Sequence, residues 1–137
     1  MAKDIYHDIV KTALEKDGWT ITDELFRLTI GSRSDYIDLG AEKLIVAEKA
    51  DRKIAIEIKS FVSPSPVNDL ESALGQYILY RDALQRSQSE RTLYLAITNE
   101  VYLDFFQEEI AQMVVENQRL KLIIFNPDQM EVVKWIE

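Results

Sequence analysis

A glutamate and a lysine two residues apart form the pair in this sequence best suited to chemistry. Glu57 and Lys59 alternate with three isoleucines, at positions 54, 56 and 58. This alternation predicts a β-strand with both polar side chains on one face, roughly 7 Å apart. A carboxylate can ligate Mg²⁺, and a neighbouring ammonium can position or polarise a water molecule. The pair is therefore a candidate for metal-dependent hydrolysis.

The same acid-x-lysine spacing also has ordinary explanations. Asp51-Arg52-Lys53 matches it, but this segment falls in a predicted hairpin turn, where its side chains are solvated. For Glu57 and Lys59, the alternative is a structural contact on the polar face of a strand, and spacing alone favours that alternative. The sequence context favours the functional interpretation, because the pair comes late in an apolar strand and before a capped helix.

A metal site of this kind needs a second acid. Asp38 has apolar neighbours on both sides, and Gly40, two residues later, can bend the chain toward Glu57. The alternative is an aspartate that caps its own turn, which is common. The residues alone do not decide between the two interpretations.

Three further side chains are candidates: Gln76 belongs to the proposed catalytic set, and Tyr80 and His7 are secondary candidates. Gln76 and Tyr80 lie one helical turn apart, on a face with small residues, so Gln76 can reach an attacking water or a phosphate. Periodicity alone favours an ordinary helix flank. His7 is the single histidine and can contact a phosphate or act as a general acid. A packed boundary histidine is the more frequent case.

Composition excludes several other kinds of site. There is no cysteine and one histidine, so neither a disulfide framework nor a zinc site of the usual kind is expected. Glycine-rich phosphate loops and a nucleophile elbow are missing from the sequence. The net charge of −8 disfavours bulk electrostatic coating of nucleic acid, yet a bound divalent cation would change the local charge. Without an export signal or an apolar run of about 20 residues, we expect a cytoplasmic protein with no membrane association.

The elements that must position these residues suggest one α/β domain over residues 1–137, with a mixed sheet and helices packed on it. Asn68, with Glu71 three residues later, predicts the start of the central helix. The predicted order is αββββαβαββ, with helices at 3–17, 68–87 and 102–117 and strands at 25–30, 35–39, 43–49, 53–60, 92–98, 120–126 and 130–136.

Several blocks resemble the XisH family, and the likeness covers essentially the whole chain. The Gly-Gln-Tyr block after Glu-x-Lys is the most specific of them. The blocks are Asp17-Gly18-Trp19-Thr20, Asp38-Leu39-Gly40-Ala41-Glu42-Lys43, Ile56-Glu57-Ile58-Lys59-Ser60-Phe61, Ala73-Leu74-Gly75-Gln76-Tyr77-Ile78-Leu79-Tyr80 and Val133-Lys134-Trp135-Ile136.

The resemblance implies a restriction-endonuclease-like fold of the PD-(D/E)xK superfamily. It also implies a role in controlled excision of a DNA element, alongside a XisI-like protein and a separate recombinase. By motif, Asp38 would be the first acid, Glu57 the second acid, Lys59 the lysine and Gln76 the helix glutamine. Mg²⁺ or Mn²⁺ would be held by Asp38, Glu57 and the carbonyl of Ile58.

The sequence departs from the superfamily pattern around the first acid. No proline precedes Asp38, and the hairpin separates it from Glu57 by more residues than in compact members. Glu42 and Glu48 are therefore alternatives for the first acid.

Three functional hypotheses follow from these residues. The first is a metal-dependent deoxyribonuclease. The second is a non-catalytic accessory protein that binds a XisI-like partner or DNA and controls a separate recombinase. The third is a domain with a vestigial site. A homodimer formed by apolar residues of the closing strands is a further hypothesis, although such residues are more often core. Those residues are Val132, Val133, Trp135 and Ile136.

Overall fold

The computed structural model describes residues 5–26, 44–87 and 90–137. In this part of the chain a mixed sheet is flanked by helices, so the predicted α/β class is confirmed. The predicted strand 35–39 lies outside the described residues. The elements are α1 (His7–Lys16), β1 (Thr20–Phe26), β2 (Leu44–Lys49), β3 (Arg52–Ile58), α2 (Pro66–Arg86), β4 (Thr92–Thr98), α3 (Asn99–Leu103), α4 (Glu109–Gln118), β5 (Leu122–Asn126) and β6 (Glu131–Ile136).

The strands lie in the sheet in the order in which they occur along the chain. The predicted hairpin between β2 and β3 is confirmed: the strands are antiparallel, and Lys49 pairs with Arg52 across a two-residue turn. Strands β3, β4 and β5 are parallel to one another, and β6 returns antiparallel to β5. The two parallel pairs require crossover connections, which are supplied by α2 and by the α3–α4 segment.

The helices cover both faces of the sheet and create two apolar cores. On one face α2 packs over a core that includes Ala55 of β3. On the other face α1 packs over a core that includes Ile54, Ile56 and Ile58. Alternate residues of β3 therefore point into different cores, as the period of the strand predicts.

Several element boundaries differ from the prediction. Helix α1 begins at His7 rather than at residue 3, and β1 covers Thr20–Phe26 rather than 25–30. Helix α2 begins at Pro66 rather than Asn68, because the Ser65 hydroxyl accepts a hydrogen bond from the Asn68 N–H at 3.2 Å. Serine at the N-cap with proline after it is a strong start signal. The predicted helix 102–117 is instead α3, a 3-10 turn and α4. Phe105 and Phe106 in that turn are both buried, whereas a regular helix rotates successive side chains by about 100°.

Strand β6 forms one edge of the sheet and carries an irregularity. Its register against β5 shifts between Ile124 and Phe125. Val132 and Trp135 pack against the α1-side core, whereas Val133 remains 57% exposed. The residues proposed for a dimer are thus mostly core contacts, and the homodimer remains a prediction. In the described part of the chain no helix has both the length and the apolarity needed to cross a bilayer.

A buried tyrosine beside this edge should make stability sensitive to alkaline pH. The Tyr94 hydroxyl donates to Glu137 Oε1 at 2.6 Å and accepts from Arg52 Nη2 at 2.9 Å. Burial, reinforced by the Glu137 carboxylate, raises the pKa of Tyr94 to about 12.

Between pH 10 and 12 the unfolded tyrosine releases its proton while the folded one keeps it. The free energy of unfolding should therefore fall as pH rises through this window, by up to about 1.4 kcal/mol per pH unit. Urea unfolding of wild type and Tyr94→Phe from pH 9 to 11.5 measures this, because the variant lacks the proton. Parallel pH curves for the two proteins would contradict the assignment.

Candidate functional site

Glu57 is a buried carboxylate on a central strand. Its side chain is 1% exposed, and both of its carboxylate oxygens are shielded from solvent. It lies opposite Leu95 of β4 and, by alternation, shares the α2-side face of β3 with Ala55. Burial of an ionised carboxylate is costly unless other groups compensate it. A carboxylate in such a position is therefore a functional-site candidate on physical grounds.

Lys59 follows directly after β3 and continues its geometry. The Lys59 N–H donates to the carbonyl of Ala96 at 3.1 Å, so the parallel pairing extends one residue beyond the strand. Alternation puts Lys59 on the same face as Glu57, with Ile58 buried between them on the opposite face. Lys59 itself is half-buried. The pair thus combines an enclosed acid with a cation that retains access to solvent.

Helix α2 covers this face of the sheet. Of its residues, Tyr77 and Tyr80 are almost completely buried, and Gln76 is half-buried. Burial raises the pKa of Tyr77; the backbone N–H of Lys121 and the Arg81 guanidinium lower it, while the Glu57 carboxylate raises it further. Glu57 shares the α2-side face of β3 with Ala55, and Ala55 and Tyr77 belong to the same core, so the acid lies on the side of the sheet that α2 covers.

The amide of Gln76 has an unusual environment. Its Oε1 atom is buried and, within the described ranges, finds no hydrogen-bond partner. Buried side-chain oxygens normally accept a hydrogen bond from the protein or from water. The amide is therefore suited to accept a hydrogen bond from a bound water or ligand.

Within the described residues, no candidate for the first acid lies next to Glu57. Asp38 and Glu42 lie outside them. Glu48 pairs with Lys53 in the β2–β3 register. Lys53 precedes Glu57 by four residues on β3, so Glu48 lies about 13 Å from Glu57 along the strand direction. Glu48 instead forms an ion pair with Arg91 at 3.4 Å. Glu48 therefore does not join Glu57.

The structure places His7 and the Asp51-Arg52-Lys53 match away from Glu57. His7 is 7% exposed in the first turn of α1, in the layer on the opposite side of the sheet from α2. It does not share the face of Glu57. The Asp51-Arg52-Lys53 match is exposed at the β2–β3 turn, as predicted.

A hard divalent cation needs several oxygen ligands. Residues 5–26, 44–87 and 90–137 contain no cluster of three carboxylate, imidazole or thiolate side chains. They do supply the Glu57 carboxylate and the buried Gln76 oxygen, and oxygen ligands suit Mg²⁺ and Mn²⁺. These donors fit part of such a site, and a second acid would complete it.

Comparisons with known proteins agree on one family. A family model described as XisH protein matches residues 1–133. A crystal structure of an XisH family protein from Nostoc punctiforme is 39% identical, with a TM-score of 0.89, and the match covers 98% of this chain and 100% of that one. A structure described as a fdxN element excision controlling factor protein from Anabaena variabilis is 37% identical, with the same TM-score and the same coverage.

The search of curated proteins found no match. The family match nevertheless covers nearly the whole chain, and both structural relatives exceed one third identity over their full lengths. This chain belongs to the XisH family.

Proposed function

We propose that this chain is a control factor for excision of a DNA element and carries a divalent-metal-dependent nuclease site of the PD-(D/E)xK type. The observation that carries the proposal is the fully enclosed Glu57 carboxylate, followed by Lys59, on a central strand beneath α2. The excision role is supported by the Anabaena variabilis relative, which is described as an excision controlling factor.

The side chains would divide the work by their chemistry. Glu57 and the Ile58 carbonyl would hold Mg²⁺ or Mn²⁺, together with Asp38 as the proposed first acid of the motif. When bound, such a cation supplies Lewis acidity and favours hydroxide formation from water. Lys59 would stabilise negative charge that develops on the phosphate oxygens. The Gln76 Oε1 would accept a hydrogen bond from the attacking water and orient it.

A plasmid nicking assay tests the hydrolytic step. Wild type should nick supercoiled DNA in the presence of Mn²⁺, and Lys59→Ala should reduce the rate by about 100-fold or more, because a preorganised charge is lost. Lys53→Ala is the matched control. It removes one lysine from the exposed end of the same strand, within the same acid-x-lysine spacing, and should nick like wild type. Equal rates in all three proteins, or no nicking by any, would count against a nuclease.

A non-catalytic accessory role is the second candidate. Its support is the net charge of −8, which weakens unaided binding to DNA and favours a partner that holds the nucleic acid. Pull-down of a XisI-like protein should then succeed equally with wild type and Lys59→Ala. A purified chain with rapid nuclease turnover and no partner would contradict this second role.

A further inference from the structure

A basic cleft lies on the α2 side of the sheet, near the start of β4 and several residues along the strands from Glu57. It has a volume of about 260 Å³ and opens at the amino ends of β4 and β5, beside the second half of α2. Among the described residues that line it, four are cationic and none is acidic. The lining consists of Tyr77, Arg81, Leu84, Gln85, Arg91, Thr92, Leu93, Arg119 and Lys121.

Two of the guanidinium groups are held in place by the protein. Arg81 donates to the carbonyl of Gln118 at 2.6 Å and lies 5.4 Å from the ring centroid of Tyr77. Arg91 donates to two carbonyls, of Ala47 at 3.4 Å and of Ile54 at 3.3 Å. Preorganised guanidinium groups lose little entropy when they bind an anion, and their planar forks match phosphate oxygens.

Three of the four cations in the cleft have no carboxylate partner among the described residues. Within the described ranges, no carboxylate lies within 4.0 Å of the Arg81, Arg119 or Lys121 side chains, and Arg91 alone has one, Glu48. This is unusual in a chain with 24 acidic and 16 basic residues. Arg81 and Lys121 are half-buried, so their partial desolvation and mutual repulsion favour a bound anion.

Arg119 has a backbone conformation that arginine rarely adopts. It occupies the left-handed C-cap of α4, with φ of 53°. Glycine is the residue that favours this position. An arginine therefore occupies a backbone position that suits glycine better, and its positively charged side chain lines the cleft.

We propose that this cleft binds the phosphate group of a mononucleotide-sized ligand. The clustered arginines supply forked donors for phosphate oxygens, and Tyr77, Leu84 and Leu93 supply an apolar surface for the rest of the ligand. The volume exceeds the needs of inorganic phosphate alone. A concave pocket, in a protein of net negative charge, fits a small ligand better than the extended backbone of a duplex.

The cleft is separate from the site proposed for phosphodiester chemistry. Thr92, at its edge, pairs with Ile54 of β3, whereas Glu57 pairs with Leu95 further along the strands. Binding is therefore testable without divalent metal and without a cleavage assay, so its result is independent of the nuclease proposal.

Calorimetric titration with adenosine 5′-monophosphate, at low salt and with EDTA present, tests the inference. Wild type should bind it saturably, adenosine should not bind, and inorganic phosphate should compete. Arg119→Gly and Lys121→Gln should each weaken binding about tenfold, because each removes one charge-assisted hydrogen bond. Arg86→Gln is the matched control: it removes an exposed arginine of α2 outside the cleft and should bind like wild type.

Arg119→Gly also separates binding from folding. Its Tm should equal or exceed that of wild type, because glycine suits the left-handed position, while its affinity falls. Failure of the nucleotide to bind, or equal affinity in wild type and both cleft variants, would overturn the proposal. A third outcome would also overturn it: a DNA oligonucleotide without a terminal phosphate binds, Arg119→Gly weakens that binding, and adenosine 5′-monophosphate does not bind. The cleft would then be assigned to nucleic-acid backbone.

Discussion

Replacing Glu57 by glutamine is expected to abolish the thermal stabilisation that Mn²⁺ gives to the wild-type protein. Glutamine has nearly the same shape but lacks the charge that a divalent cation requires. At a Mn²⁺ concentration 100 times its Kd, the folded state gains about 2.7 kcal/mol, which corresponds to a rise in Tm on the order of 10 °C for a domain of this size. Thermal melts with and without Mn²⁺ measure the difference.

Two further carboxylates make the metal experiment specific. Glu48→Gln removes an acid that pairs with Arg91 near the hairpin turn, so its Mn²⁺ shift should match that of wild type even if its own Tm changes. Asp38→Asn should lose the shift if Asp38 is the first acid. If it keeps the shift and Glu42→Gln loses it, Glu42 takes that role. An undiminished shift in Glu57→Gln would exclude Glu57 as a ligand.

Replacing Tyr77 by phenylalanine is expected to lower the free energy of unfolding by about 2–4 kcal/mol. The Tyr77 hydroxyl donates to the carbonyl of Leu93 at 3.0 Å and accepts from the N–H of Lys121 at 3.2 Å. It thereby joins α2 to the beginnings of β4 and β5. Phenylalanine would leave a carbonyl and an N–H without this partner, and loss of one partner costs more than the net value of the bond.

Urea unfolding measures this loss as a lower midpoint with an unchanged m-value. Tyr102→Phe is the matched control. Tyr102 is half-buried beside Lys134, and its hydroxyl makes no hydrogen bond with the described residues, so its variant should stay within about 0.5 kcal/mol of wild type. Equal losses in the two variants would show that the hydroxyl of Tyr77 does not tie the helix to the sheet.

The sequence predicts β3 and the faces on which its side chains lie, because both depend on the alternation of neighbouring residues. The alternation of isoleucines with Ala55 and Glu57 reflects a strand with a core on each face, and both cores are present. The turn before it is also local, since only two residues separate the paired Lys49 and Arg52. The first acid depends on residues outside the described ranges, so Asp38 remains a prediction.

Other features depend on contacts between distant segments, which periodicity does not report. The basic cleft joins residues from α2, β4 and the α4–β5 connection. The sequence did contain a signal. Arg91 immediately precedes one predicted apolar strand and Lys121 is the second residue of another, and parallel strands begin at the same edge of a sheet. The double role of the Tyr77 hydroxyl offered no such signal, because a helix pattern indicates only that the ring is buried.

The position of β4 between two parallel neighbours has a consequence for protein synthesis. Its partner β5 is separated from it by α3 and α4, so β4 emerges from the ribosome before that partner does. A nascent chain at that stage exposes an apolar strand with one open side, which is prone to aggregation. We therefore expect the emerging polypeptide to be prone to aggregation until residues 122–126 have also left the ribosome.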